Sequence, residues 1–246
     1  MESIVEIALS ALAVLLILTI HEYSHAYAAY RLGDNTAKRL GRLTLNPIKH
    51  LDPLGALCMI FFRFGWATTV PINPRNFKKP KRDFAIVALA GPLSNMIFAF
   101  FSALLYLLLV AIFINVTFPS EFLLQAFLNL LTFVFIFHQI NIGIGLFNLI
   151  PIPPLDGSRI LNVVLPPKYY FGIMKYERQI YFVLIGWLIL GNAAKRALLS
   201  LSFVASNPVL STIAGIFSLT DMLGAVIIWL SEAMFSFWQL IPFLNF

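Results

Sequence analysis

Residues 4–32 form a largely apolar stretch of membrane-spanning length, yet they carry His21, Glu22 and His25 in the segment HEYSH. A hydrocarbon core about 30 Å thick asks for about 20 apolar residues in a helix. Ionisable side chains near the centre of such a helix cost about 2.5–3.5 kcal/mol each on insertion scales. Three within five positions demand a compensating partner, and that demand restricts what the rest of the chain can build.

The remainder of the sequence has the same solvent. Of 246 residues, 60% are hydrophobic and 11% charged, against about 25% charged in an average soluble domain. Too few charges remain to cover a water-soluble surface, so the chain reads as an all-α polytopic membrane protein. The single Cys58 rules out an internal disulfide framework and any multi-cysteine metal site. The opening Met1-Glu2-Ser3 lacks a positive signal region, and no small-residue cleavage site precedes His21, so the first apolar run is expected to stay as a transmembrane helix.

The net charge of +6 comes mainly from one region: eleven of the seventeen Lys and Arg residues lie between Arg31 and Arg82. A basic loop beside membrane spans marks the cytoplasmic face, and its natural partner is anionic lipid headgroups and not nucleic acid. The N-terminus is then outside and the first helix runs inward, ending at the helix-stopping Gly33. His21 lies twelve residues earlier, roughly 18 Å along the axis, below the membrane surface on the cytoplasmic side.

Residues 59–73, MIFFRFGWATTVPIN, are apolar and aromatic but too short to span as a helix. Their β-branched residues and Gly65 predict a membrane-associated β-hairpin in the first cytoplasmic loop. A second span is expected over residues 84–116 and a third over 122–150, making a three-helix core. Residues 179–246 are apolar but interrupted, which suggests two or three further membrane segments. The chain divides into a core over residues 1–165 and a C-terminal region over 166–246, a possible substrate gate.

HEYSH is an H-E-x-x-H pattern on a helix. Positions i and i+4 share a face, so His21 and His25 can reach one metal ion with Glu22 beside it. Imidazole and carboxylate ligands suit zinc, and an open fourth position would hold water for Glu22 to deprotonate. A chance pentapeptide lining a helix contact is the plainer alternative, disfavoured here by the cost of ionisable groups within a span. A third ligand must come from elsewhere. Asp156, in PIPPLDG, follows Pro151, Pro153 and Pro154, which break the third span where only a protein- or water-lined cavity tolerates free backbone groups. Spacing alone equally allows Asp156 to be a helix N-cap. His138 is a rival ligand, although a lone histidine on an apolar helix more often bonds a neighbouring helix. Asn148 could donate to a developing oxyanion, or make an interhelical bond as Asn141 and Gln139 could. In AGPLSN, Ala90 to Asn95, small residues and Pro92 suggest a scaffold that presses the second span against the HEYSH helix.

Together HEYSH, AGPLSN and FNLIPIPPLDG, in this order, resemble the site-2 protease family of intramembrane zinc metalloproteases, peptidase family M50. GRLTLNPIKHLDPLG and GWATTVPINPRNF resemble its compact bacterial and archaeal members, and no PDZ or CBS domain accompanies the core. The resemblance covers residues 4–161; beyond 177 it is loose. It implies one Zn2+ per chain held by His21, His25 and Asp156, with Glu22 as catalytic glutamate and Asn148 polarising the scissile carbonyl. It also implies that the loop at 59–73 presents an edge strand to substrate. The central pair Tyr23-Ser24 departs from many members, but neither residue is a ligand. The implied activity is that of a metalloendopeptidase performing regulated intramembrane proteolysis, cleaving within or near transmembrane segments of other proteins. A metal-ion transporter or channel using the same His/Asp site, or a catalytically silent scaffold, are the competing readings.

Overall fold

The computed structural model describes residues 4–52, 55, 68–207, 210, 211 and 219–245. Its elements are α1 (Ile4–Arg31), α2 (Thr36–Arg39), α3 (Pro80–Asn115), α4 (Glu121–Leu149), α5 (Asp156–Val164), α6 (Pro167–Met174), α7 (Glu177–Leu199), α8 (Ser202–Ala205) and α9 (Leu219–Trp238). Among the described residues, α1, α3 and α4 are long and apolar enough to cross a membrane, while Leu223–Trp238 is a shorter apolar helix. At 1.5 Å per residue the 36 residues of α3 extend about 54 Å, well beyond a bilayer core of about 30 Å.

The central helix is α3, which packs against α1, α4, α5 and α9. Many of the residues it buries are small: Ala88, Gly91, Ala99 and Ala103 all lie in the interior, whereas Leu93 and Phe101 stay 57% and 56% exposed. This arrangement suits a lipid solvent. Leucine gains little by leaving hydrocarbon, so helices associate where small side chains let backbones approach closely.

Each helix end has a local cause. Gly33 adopts φ 108°, which terminates α1, and the Asp34 N–H reaches back to Ala29 O at 2.9 Å. Pro80 occupies the first turn of α3, where its missing N–H costs nothing. The helix therefore begins four residues before the apolar span expected at residue 84; hydropathy marks where lipid begins, not where the helix does. At α4, the Ser120 hydroxyl accepts from Leu123 N–H at the start, and three prolines follow the end at Leu149. Gly157 then lets α5 fold back: a Cβ there would lie 2.3 Å from Leu149 O and 2.6 Å from Ile150 O.

Residues 59–67 of the expected hairpin lie outside the described residues. The described part, 68–73, forms no strand; Thr68 N–H donates to His50 O at 2.8 Å. The segment instead runs alongside α1, where Val70 packs with Ala26 and Ile72 with Ala29.

His138 is fully buried in α4 and joins three helices. Its Nδ1–H donates to Ala99 O of α3 at 2.8 Å, and its Nε2 accepts from Ser231 Oγ of α9 at 2.9 Å. Gln139 Nε2 donates to the same Ser231 oxygen, and Trp238 Nε1–H donates to Phe100 O. These contacts fasten α9 to the core. Replacing His138 with Ala leaves the Ser231 hydroxyl without the acceptor for its proton, a loss costing about 1–3 kcal/mol, while the Ala99 carbonyl keeps the Ser102 hydroxyl as a donor. A lower thermal midpoint of the detergent-solubilised protein, with α1 still helical by circular dichroism, is the expected outcome.

Candidate metal centre

One face of α1 and the first residue of α5 meet in the interior. His21 Nε2 and His25 Nε2 lie 3.0 Å apart, and Asp156 Oδ2 is 3.1 Å from each. The two histidines are buried and Asp156 is partly so. Asp156 is the first helical residue of α5, and the cap position before it falls to Leu155. Its side chain is directed to the histidines.

The outer ring nitrogens determine which nitrogen is free. His25 Nδ1–H donates to Val87 O at 2.7 Å, and His21 Nδ1–H donates to Asn95 Oδ1 at 3.3 Å. With both Nδ1 positions committed as donors, both Nε2 lone pairs converge with a carboxylate oxygen. Three acceptors at this separation, shielded from water, repel one another unless a cation lies among them. A tetrahedral zinc with bonds of 2.0–2.2 Å has ligand–ligand edges of about 3.3–3.6 Å, close to the observed triangle. The donor set, neutral imidazole twice and carboxylate once, fits zinc.

The supporting face of α3 is Val87, Gly91 and Asn95, spaced by four and so on one side of the helix. Between the two hydrogen-bonding positions, Gly91 is the close-approach point: a Cβ there would fall 2.4 Å from His25 Nε2 and 2.7 Å from His21 Nε2. AGPLSN thus supplies the packing surface expected of it, and Asn95 adds a hydrogen bond that its small-residue pattern did not reveal. Asn95 Nδ2 is buried without a partner, so the amide is oriented by its carbonyl side alone.

Glu22 is buried beside the histidines, and its Oε2 accepts from Val70 N–H at 2.7 Å. This bond had no sequence signal, because its donor is a backbone group. Asn148, in the last turn of α4, is half-buried and spends one amide N–H on Ile144 O at 3.0 Å; the second N–H is not committed by that bond. Asn141 bonds Phe137 O on its own helix, and Gln139 bonds Ser231. His138 is held by α3 and α9.

The family model of peptidase family M50 matches residues 9–191. The chain belongs to peptidase family M50. It is 48% identical over 149 residues to a Bacillus subtilis protein named "Putative zinc metalloprotease YwhC", covering 61% of this chain and 65% of that one. It is 27% identical over 191 residues to the Rip2 protein of Mycolicibacterium smegmatis, covering 71% and 64%. It is also 27% identical over 150 residues to "Zinc metalloprotease MJ0392" of Methanocaldococcus jannaschii, covering 61% and 32%. The chain therefore spans less than two thirds of the length of these relatives. No solved structure matches it. An M50 chain with three apolar helices is a multi-pass membrane protein.

Two substitutions on α3 test its role in supporting the ligands. Gly91→Ala, whose methyl group would displace both imidazoles, is expected to abolish stoichiometric zinc binding. Asn95→Ala, which removes an outer partner of a ligand, should weaken zinc by about 10–100-fold. Zinc retained after dialysis against graded chelator, measured by mass spectrometry, distinguishes the two.

Proposed function

We propose that this M50 chain is an intramembrane zinc metalloprotease that cleaves peptide bonds within or near transmembrane segments of other membrane proteins. One observation carries the reading: the Nε2 atoms of His21 and His25, with Glu22 adjacent, on the membrane-length helix α1 face the Oδ2 of Asp156 at the start of the short α5. His21, His25 and Asp156 would hold the ion. Bound zinc would supply a Lewis acid that polarises the scissile carbonyl and makes the attacking water more acidic.

The protein side chains supply the rest. Glu22, adjacent in sequence to a ligand and buried, takes the proton of the attacking water and delivers it to the amine that leaves. Val70 N–H fixes one of its carboxylate oxygens. The uncommitted N–H of Asn148 can stabilise negative charge on the carbonyl oxygen of the bond being cleaved. A transmembrane substrate has its own amides hydrogen-bonded within a helix, so it must unwind before reacting. By the family resemblance the loop over residues 59–73, of which 59–67 lie outside the described residues, would receive it as an extended chain.

The basic residues from Arg31 to Arg82 support a cytoplasmic position for this end of the helices, with the N-terminus outside and the site opening towards the cytoplasm. Residues 1–165 constitute the catalytic core and residues 166–246 a C-terminal membrane region suited to gating substrate entry.

The experiment pairs cleavage with metal content. Glu22→Gln should lower the rate of transmembrane-peptide cleavage by about a hundredfold or more while keeping about one zinc per chain. His25→Ala and Asp156→Ala should lose both zinc and cleavage. Undiminished cleavage by Glu22→Gln would refute the mechanism.

A further inference from the structure

Residues 70–76 lie along α1 between the carboxylates of Glu22 on that helix and Asp34 just beyond its end. At one end Val70 N–H donates to Glu22 Oε2. At the other, fully buried Asp34 just beyond the end of α1 takes four donors. Its Oδ2 accepts from Asn73 N–H at 2.7 Å, and its Oδ1 accepts from Asn76 Nδ2 at 2.7 Å and from the Thr36 N–H and hydroxyl. Asn73 in turn caps the turn Pro74–Asn76 by accepting from Arg75 N–H. Between the fastened ends, Val70 and Ile72 rest on the small residues Ala26 and Ala29.

Asp34 is far from the metal ligands, twelve residues beyond Glu22 and so roughly 18 Å along the helix direction. Nothing in the metal centre requires it. A buried carboxylate is nonetheless costly, and four donors are more than a helix end alone needs. Burial pushes its pKa up, but the hydrogen bonds from Thr36, Asn73 and Asn76 outweigh this and hold it below the ordinary aspartate value. The charge is thus kept where it can hold the strap.

We infer that Asp34 is a positioning residue for Glu22, acting through the strap 70–76 and the Val70 N–H. The inference rests on Glu22 being the general base. Only Pro71 and Ile72 separate Val70 from Asn73, so the strap has little slack. Arg42, donating to Thr68 O at 2.6 Å, holds it on one side of Val70 and Asp34 on the other. Releasing Asn73 and Asn76 leaves Val70 held from one side, so its N–H no longer fixes the Glu22 oxygen. A general base displaced by about 1 Å loses up to about a hundredfold in rate, with the metal ligands untouched.

The test uses the full chain in nanodiscs and an internally quenched transmembrane peptide chosen because the wild-type protein cleaves it. Two perturbations are compared, Asp34→Ala and replacement of Val70 by its α-hydroxy acid analogue, which removes only the N–H. Each is expected to lower kcat by about tenfold with KM within about twofold and zinc content unchanged. Their combination should lose no more than either alone, because both act through one hydrogen bond. A spectroscopic readout independent of turnover accompanies this: the infrared difference between each protein and its Glu22→Gln counterpart isolates the Glu22 carboxylate band. That band should shift alike in the two perturbed proteins.

Losses that multiply in the combination, or a Glu22 band unmoved by Asp34→Ala, would overturn the inference. If Asp34→Ala does not fold, Asn76→Ala, which removes one donor of the clamp, takes its place under the same criteria. Full cleavage by Glu22→Gln refutes the general-base reading; loss of cleavage there, with normal kcat in the ester protein, refutes the strap alone.

Discussion

Two imidazole nitrogens and a carboxylate oxygen facing one another at 3.0–3.1 Å away from bulk water are the constraint on which the rest of the structure depends. In water such a cluster would be solvated; inside packed apolar helices it must be compensated by a cation and by fixed outer partners. The chain provides the partners from α3. Val87 O and Asn95 Oδ1 hold the outer nitrogens, so the inner lone pairs converge without adjustment when an ion is bound. The prolines after α4 and the Gly157 turn bring Asp156 back to the same point.

The packing follows from lipid as solvent. Large side chains such as Leu93 and Phe101 face outward, while glycine and alanine occupy the helix contacts. A core built from leucine would separate α1 from α3 by several ångströms and leave the imidazoles without acceptors. Close backbone approach is therefore a requirement of the metal centre as well as of helix association. The polar node of His138, Ser231 and Gln139 applies the same economy farther along α4, satisfying buried groups across three helices.

What the sequence made legible depended on how local each feature is. HEYSH was readable because i and i+4 share a helical face by geometry alone. Spacing alone reads Asp156 equally as ligand or cap, since its contact with His21 spans 135 residues of sequence. Gly91 and Pro92 could be read as a packing surface, but the Val87 carbonyl and the Val70 N–H carry no residue signature at all. Asp34 lies in a polar loop and gave no sign of its four donors. The span expected from residue 84 begins inside α3, whose first turn carries charged Lys81, Arg82 and Asp83 and is hidden from hydropathy. Part of the expected hairpin, residues 68–73, proved to be an extended strap against α1.

Val87, Gly91 and Asn95 sit one turn apart on α3 and serve two histidines one turn apart on α1. This makes ligand geometry a function of axial register. Slippage of one helix against the other would break both outer hydrogen bonds together and drive a backbone bulge into an imidazole. Ion affinity is thereby coupled to the mechanical alignment of two long rods.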